Sequence, residues 1–188
     1  MLSMATRRRG QERLRERRDA TSAELKAMAH PLRLRILRQC LHEELTNKEL
    51  ADRLGQEPAT ILHHVRTLCR TGFLEAGAVR NGRRGALEKP YRATGKSWYL
   101  SVARPDDQLH GVLATIDALR AEIVDAGPES IVENVRLGVR LSRGEAEELT
   151  GLIDELVQSY AAREATTGGE RYGLYVSLHR LGRASTRS

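Results

Sequence analysis

Thr60, His63, His64 and Thr67 crowd into the thirteen-residue stretch P-A-T-I-L-H-H-V-R-T-L-C-R, with Arg66 and Arg70 beside them. Coiled at about 100° per residue, these four polar side chains are expected on one stripe. Ile61, Val65 and Leu68 take the opposite stripe, flanked by Leu62 and Cys69. Hydroxyl and imidazole groups donate or accept hydrogen bonds at base edges, and a guanidinium neutralises phosphate. The chemistry these residue types suit is recognition of a polyanion, with no bond made or broken. An ordinary amphipathic helix with a solvated polar face is the alternative, and the residues just upstream argue against it.

Upstream, Leu50, Ala51 and Leu54 form one side of a short helix. Thr46 or Asn47 can cap it, and Glu49 lies in the first turn, where a carboxylate suits the helix dipole. Gly55 can leave that helix with positive φ, and Pro58 suits a first helical position. Two short helices joined this way predict a helix-turn-helix, whose second helix enters the major groove. Lys48 and Arg66 are then placed for phosphates. Downstream, Phe73–Ala76 and Pro90–Thr94 read as two strands around a turn-rich tip that carries Arg80, Arg83, Arg84 and Lys89. Such a wing can lay arginines on the DNA backbone or in a minor groove.

Before this motif, Thr21 and Glu24 make a capping box, and Pro31 restarts a helix, leaving His30 as a junction residue. The stretch A-H-P-L-R-L-R-I-L, followed by L-T-N-K-E-L-A-D-R-L-G-Q-E-P-A-T-I-L-H-H-V-R-T-L-C-R-T-G-F-L, resembles the ArsR-type winged-helix transcriptional regulators. The likeness runs from about Thr21 to Thr94. His63 and His64 match the family's paired histidines, while Glu57 and Leu62 stand where the family commonly has a small polar residue. The resemblance implies a dimer whose helix after the wing packs on its dyad mate. Leu109, Val112, Ile116, Leu119 and Ile123, at alternating spacings of three and four, make a seam suited to that role in a helix capped by Asp106. Packing within one subunit is the alternative.

The family's metal sites do not carry over. Glu44–Lys48 holds no thiol where clustered cysteines are used, and Asp107, His110, Glu122 and Asp125 depart from the spacing of the second site. No metal or other cofactor is expected. Cys40 and Cys69 lie in apolar patterns and read as buried free thiols. No catalytic set stands in a credible context, so no enzyme is expected.

Charge is uneven. Residues 1–100 hold 21 basic and 11 acidic side chains, a balance of +10, and residues 101–188 hold 10 and 14, a balance of −4. Only the first half should meet a polyanion. Arginine outnumbers lysine 27 to 4, which suits a GC-rich bacterial genome. Arg7–Arg9 precede no apolar run, and no stretch is long enough to span a bilayer, so a cytoplasmic protein without membrane contact is expected.

The expected fold is mainly α with small β: a basic, flexible arm over residues 1–20, a winged helix-turn-helix domain over 21–100, then a dimerisation helix and a small α/β appendage over 101–188. Trp98 and Tyr99 should pack as a lid between the winged helix and the C-terminal region. In the appendage Val135, Leu137, Val139 and Leu141 alternate as a strand. Ser142 caps a helix whose face Ala146, Leu149, Leu152, Ile153, Leu156, Val157 and Tyr160 is expected to be buried, and Tyr172–Leu178 is a last strand. That region could hold an effector or enlarge the dimer interface. The function expected is a homodimeric, sequence-specific DNA-binding regulator, a repressor on a palindromic operator. The rival is a winged helix that binds an acidic protein partner.

Overall fold

The computed structural model describes residues 18–81, 87–161, 163 and 169–181. The described residues divide into two compact units, one up to Val132 and one from Glu133 onward.

The first unit begins with a short strand, β1 (Arg18–Asp19), paired in parallel with β7 (Leu100–Ser101). These two residues were expected in a flexible arm. They are held because Arg18 reaches the buried carboxylate of Glu24 at 2.6 Å and 2.9 Å. The arm's residues 1–17 lie outside the described residues. Helix α1 (Ser22–Met28) opens on the expected capping box of Thr21 and Glu24. Helix α2 (Pro31–Gln39) starts on Pro31, with His30 as its cap residue. Arg33 closes the junction by donating to the carbonyls of Ala27 at 2.6 Å and Lys26 at 2.5 Å.

The short strand β2 (Leu45–Thr46) leads into α3 (Asn47–Leu54). Thr46 and Glu49 form a second capping box, and Gly55 ends the helix at φ 60°, which costs glycine little and a residue with a Cβ more. Helix α4 (Pro58–Arg70) comes after a short turn, with Pro58 at its first position. Strands β3 (Leu74–Ala76) and β6 (Pro90–Ala93) pair antiparallel, with Leu74 opposite Ala93, and β2 joins the other edge of β6. Farther out, β4 (Arg80–Asn81) pairs with β5 (Leu87–Glu88). The hairpin is therefore the expected wing. Arg83 and Arg84 lie outside the described residues.

Ile36, Cys40, Leu50, Ile61, Val65, Leu68 and Phe73 form a single buried core under α2, α3, α4 and the sheet. Burying each large aliphatic contributes roughly 1.5–3 kcal/mol. Burial also pushes the Cys40 thiol up to about 12, so it behaves as a small apolar side chain. Cys69 is half-buried, and both thiols are free.

Trp98 and Tyr99 lie in a 3₁₀ turn, Lys96–Tyr99, with Trp98 42% exposed and Tyr99 half-buried. Helix α5 (Pro105–Ala126) starts with Pro105 at its first position and Arg104 as cap, ahead of the cap expected at Asp106. It packs on α2 and α1 through the small side chains Ala114 and Ala118. Arg35 pairs with Asp125, and Arg38 with Glu122 at 3.7 Å. The compact unit thus takes in α5 as well as the winged helix.

In the second unit Ser142 caps helix α6 (Arg143–Ala161), accepting from the Glu145 backbone at 3.3 Å while Glu145 accepts from Ser142 at 2.7 Å. The rest departs from expectation. Residues 131–142 and 169–181 form neither strand nor helix, and no residue of α6 is buried. Alternation alone does not make a strand. It needs a neighbour for its backbone groups and a second layer for its apolar face, and neither is present among the described residues. No described helix is long and apolar enough to cross a membrane.

Candidate nucleic-acid interface

Helix α4 is fixed on its inner side by Ile61, Val65 and Leu68, all fully buried. That orientation turns Thr60, His63, Arg66 and Arg70 outward, with Thr67 half-buried at the margin. Its first turn is set by a contact the sequence did not reveal: the side-chain amide of Asn47, at the start of α3, donates to the Pro58 carbonyl at 2.9 Å. The two helices are therefore tied at their N-terminal ends. Thr67 donates to the His63 carbonyl at 3.2 Å, which leaves its oxygen to accept from outside.

His64 is not on the exposed face. It is only 8% exposed, and its ring lies 4.5 Å from that of His30 and 5.3 Å from that of His63. At about 100° per residue it falls about 40° from Leu68, on the shoulder of the apolar stripe. The expectation that it shares the outward stripe with His63 is therefore corrected: its angle lies closer to the buried residues. Burial, reinforced by the charges of His30, Arg33 and His63, pushes its imidazole down to about 4. Burial also lowers His30, with Arg33 adding to the effect. Neither buried Nδ1 has a hydrogen-bond partner among the described residues. His64 is a positioning residue that seats α4 on the α1–α2 junction.

Among the expected cations, Lys48, Arg66 and Arg70 are exposed and make no ion pair among the described residues. Lys48 stands in the first turn of α3, where a cation opposes the helix dipole. An external anion there would relieve that opposition. Arg80 differs. Its guanidinium donates to both carboxylate oxygens of Glu49 at 3.0 Å and lies 3.6 Å from Glu88. It couples the wing to α3 and is already neutralised. The Thr46 backbone N–H holds Glu49 below the usual carboxylate range, with the Thr46 hydroxyl, Arg80 and Arg53 adding to it. Glu57 is the cap residue of α4 and its side chain makes no capping bond.

On α5, Leu109, Ile116 and Ile123 of the expected seam are exposed, together with Leu113, while Val112 and Leu119 are half-buried. The seam is split between solvent and the subunit's own core. Among the described residues no three His, Cys, Asp or Glu side chains gather as a metal site. His110 donates instead to the Asp106 carbonyl at 2.8 Å.

A helix-turn-helix domain family matches residues 28–76, the span from the end of α1 through β3. That span, with the wing of β3 and β6 beside it, is a winged helix-turn-helix domain. Reduced HlyU from Vibrio cholerae is similar at 27% identity over 48% of this chain and 84% of its own, with a TM-score of 0.34. A ZitR mutant from Lactococcus lactis aligns at 17% identity over 76% of this chain and 80% of its own, at 0.30. A MepR mutant from S. aureus, bound to an oligodeoxyribonucleotide, aligns at 16% over 84% and 91%, at 0.30. No curated protein matches. Within the winged helix, His63 and His64 are adjacent in sequence and opposite in role, one outward and one inward.

Proposed function

We propose that the chain works in the bacterial cytoplasm as a homodimeric repressor that binds a palindromic operator. One observation carries the reading. The outward face of α4 presents Thr60 and His63 near its N-terminal end, bordered by cations with no acidic partner of their own among the described residues. Thr60, His63 and Thr67 meet base edges in the major groove, and Lys48, Arg66 and Arg70 hold phosphates. Arg83 and Arg84, at the wing tip, extend the contact along the backbone. Arg80 holds the wing to α3 and makes no phosphate contact.

The exposed strip Leu109, Leu113, Ile116 and Ile123 of α5 meets the same strip on a second copy. A symmetric pair sets two α4 helices about 34 Å apart, one for each half-site. The chain has no enzymatic role in this reading, and an effector would act through the region after α5.

The test is selection from random duplexes, then fluorescence anisotropy of the selected and a scrambled duplex at several salt concentrations. A palindromic site should emerge, with affinity falling steeply as salt rises because counterions are released. Weak retention that ignores sequence would instead favour a winged helix that binds an acidic protein.

A further inference from the structure

Among its described residues the second unit has the parts of a folded layer and no core. Between residues 133 and 181, twelve large apolar side chains are 40–76% exposed among the described residues. All but Leu181 fall into three regular patterns. Val135, Leu137, Val139 and Leu141 alternate; Leu152, Leu156 and Tyr160 share one side of α6; Tyr172, Leu174, Val176 and Leu178 alternate again. No ladder pairs the backbone of either alternating segment among the described residues.

Area, joint length and strand number together indicate what covers this surface. Twelve such side chains at on the order of 80 Å² each amount to roughly 1,000 Å² per copy, and one partner in a stable interface contributes about 800 Å². The joint between the first alternating segment and α6 is short. Only Ser142 separates Leu141 from Arg143, where helix α6 begins. Turning a helix back onto its own preceding strand takes about 2–6 residues. A joint this short drives the helix away from its own strand, and short hinges of this kind favour exchange between copies. As for strand number, one copy supplies two segments, marginal without a helix against them, whereas two copies supply four. Residues 133–181 hold eight acidic and six basic side chains, so two copies meet with little net repulsion.

We infer that residues 133–161 and 169–181 bind the same residues of a second copy of this chain, forming an intertwined two-layer unit. The segments 135–141 and 172–178 of both copies make a four-stranded sheet, and the two α6 helices cover its apolar face. This contact is separate from the α5 strip, and it folds only when two copies meet.

Hydrogen exchange by mass spectrometry on the full chain, with its mass followed by sedimentation, tests this. In the dimer, amides of 135–141 and 172–178 should exchange at least about 100-fold more slowly than in an unstructured peptide. The Leu152→Glu, Leu156→Glu double variant should lose that protection in both segments together, with the pattern over residues 18–126 unchanged. Three results would overturn the inference: intrinsic-rate exchange of both segments in the dimer, protection in a species sedimenting as monomer, or protection that survives the double variant. A failure of DNA binding leaves all three readouts intact.

Discussion

The winged helix and the region after residue 133 contain the same kind of pattern with opposite outcomes. In α4, Ile61, Val65 and Leu68 recur at helical spacing and are fully buried. In α6, Leu152, Leu156 and Tyr160 recur at helical spacing and are more than half exposed. Both helices begin at a proper start, Pro58 in one and the Ser142–Glu145 capping box in the other. Periodicity and capping thus decide that a helix forms and which side is apolar. They do not decide what lies against that side. In the winged helix α2, α3 and the sheet supply it from the same chain.

Truncating matched leucines sharpens this contrast most. Leu50→Ala should lower the stability of the N-terminal unit by about 2–5 kcal/mol, because a fully enclosed site cannot collapse. Leu156→Ala should leave the urea midpoint of that unit within about 0.5 kcal/mol of the parent. Comparable losses from the two would erase the distinction.

Acid should act on the first unit in two windows. His64 is lowered to about 4 in the folded state from an ordinary 6.5, so the unfolded chain takes up its proton first. Its contribution is complete above pH 6.5 and is lost as pH falls towards 4. Glu24 acts in a lower window. Arg18, with Lys96 and Thr21 assisting, holds its carboxylate far below the usual range, so its contribution persists until well below pH 4.5. Urea midpoints across pH should therefore fall in two steps, and His64→Leu should remove most of the first.

A smaller effect is expected at the joint between wing and α3. Glu49→Gln keeps an acceptor for the Thr46 N–H and loses the Arg80 pair, so stability should drop by less than about 1 kcal/mol. Glu49→Ala also removes the side chain from the capping box and should cost about 1 kcal/mol more. Thermal melts of the two variants side by side check the order.

Much of the first unit was legible because its signals are local. The Thr46–Glu49 box, Gly55 at positive φ, Pro58 and the strands either side of the wing tip each act within a few residues. What escaped depends on contacts between distant residues. The burial of His64 comes from His30, thirty-four positions earlier, and the neutralisation of Arg80 from Glu49. Helix α5 misled for a related reason. Its large side chains draw the eye to one seam, while Ala114 and Ala118 make the close approach to the subunit's own helices. Small residues carry a weak hydrophobic signal and a strong packing one.

That the outward face of α4 reads DNA sequence is the central proposal, and His63→Ala tests it most directly. Anisotropy with the selected operator and a scrambled duplex, at one salt concentration, gives the answer. The expected result is at least about a tenfold loss on the operator, the value of about 1.4 kcal/mol of base discrimination, with scrambled binding unchanged. An equal loss on both duplexes, or none on either, would contradict it.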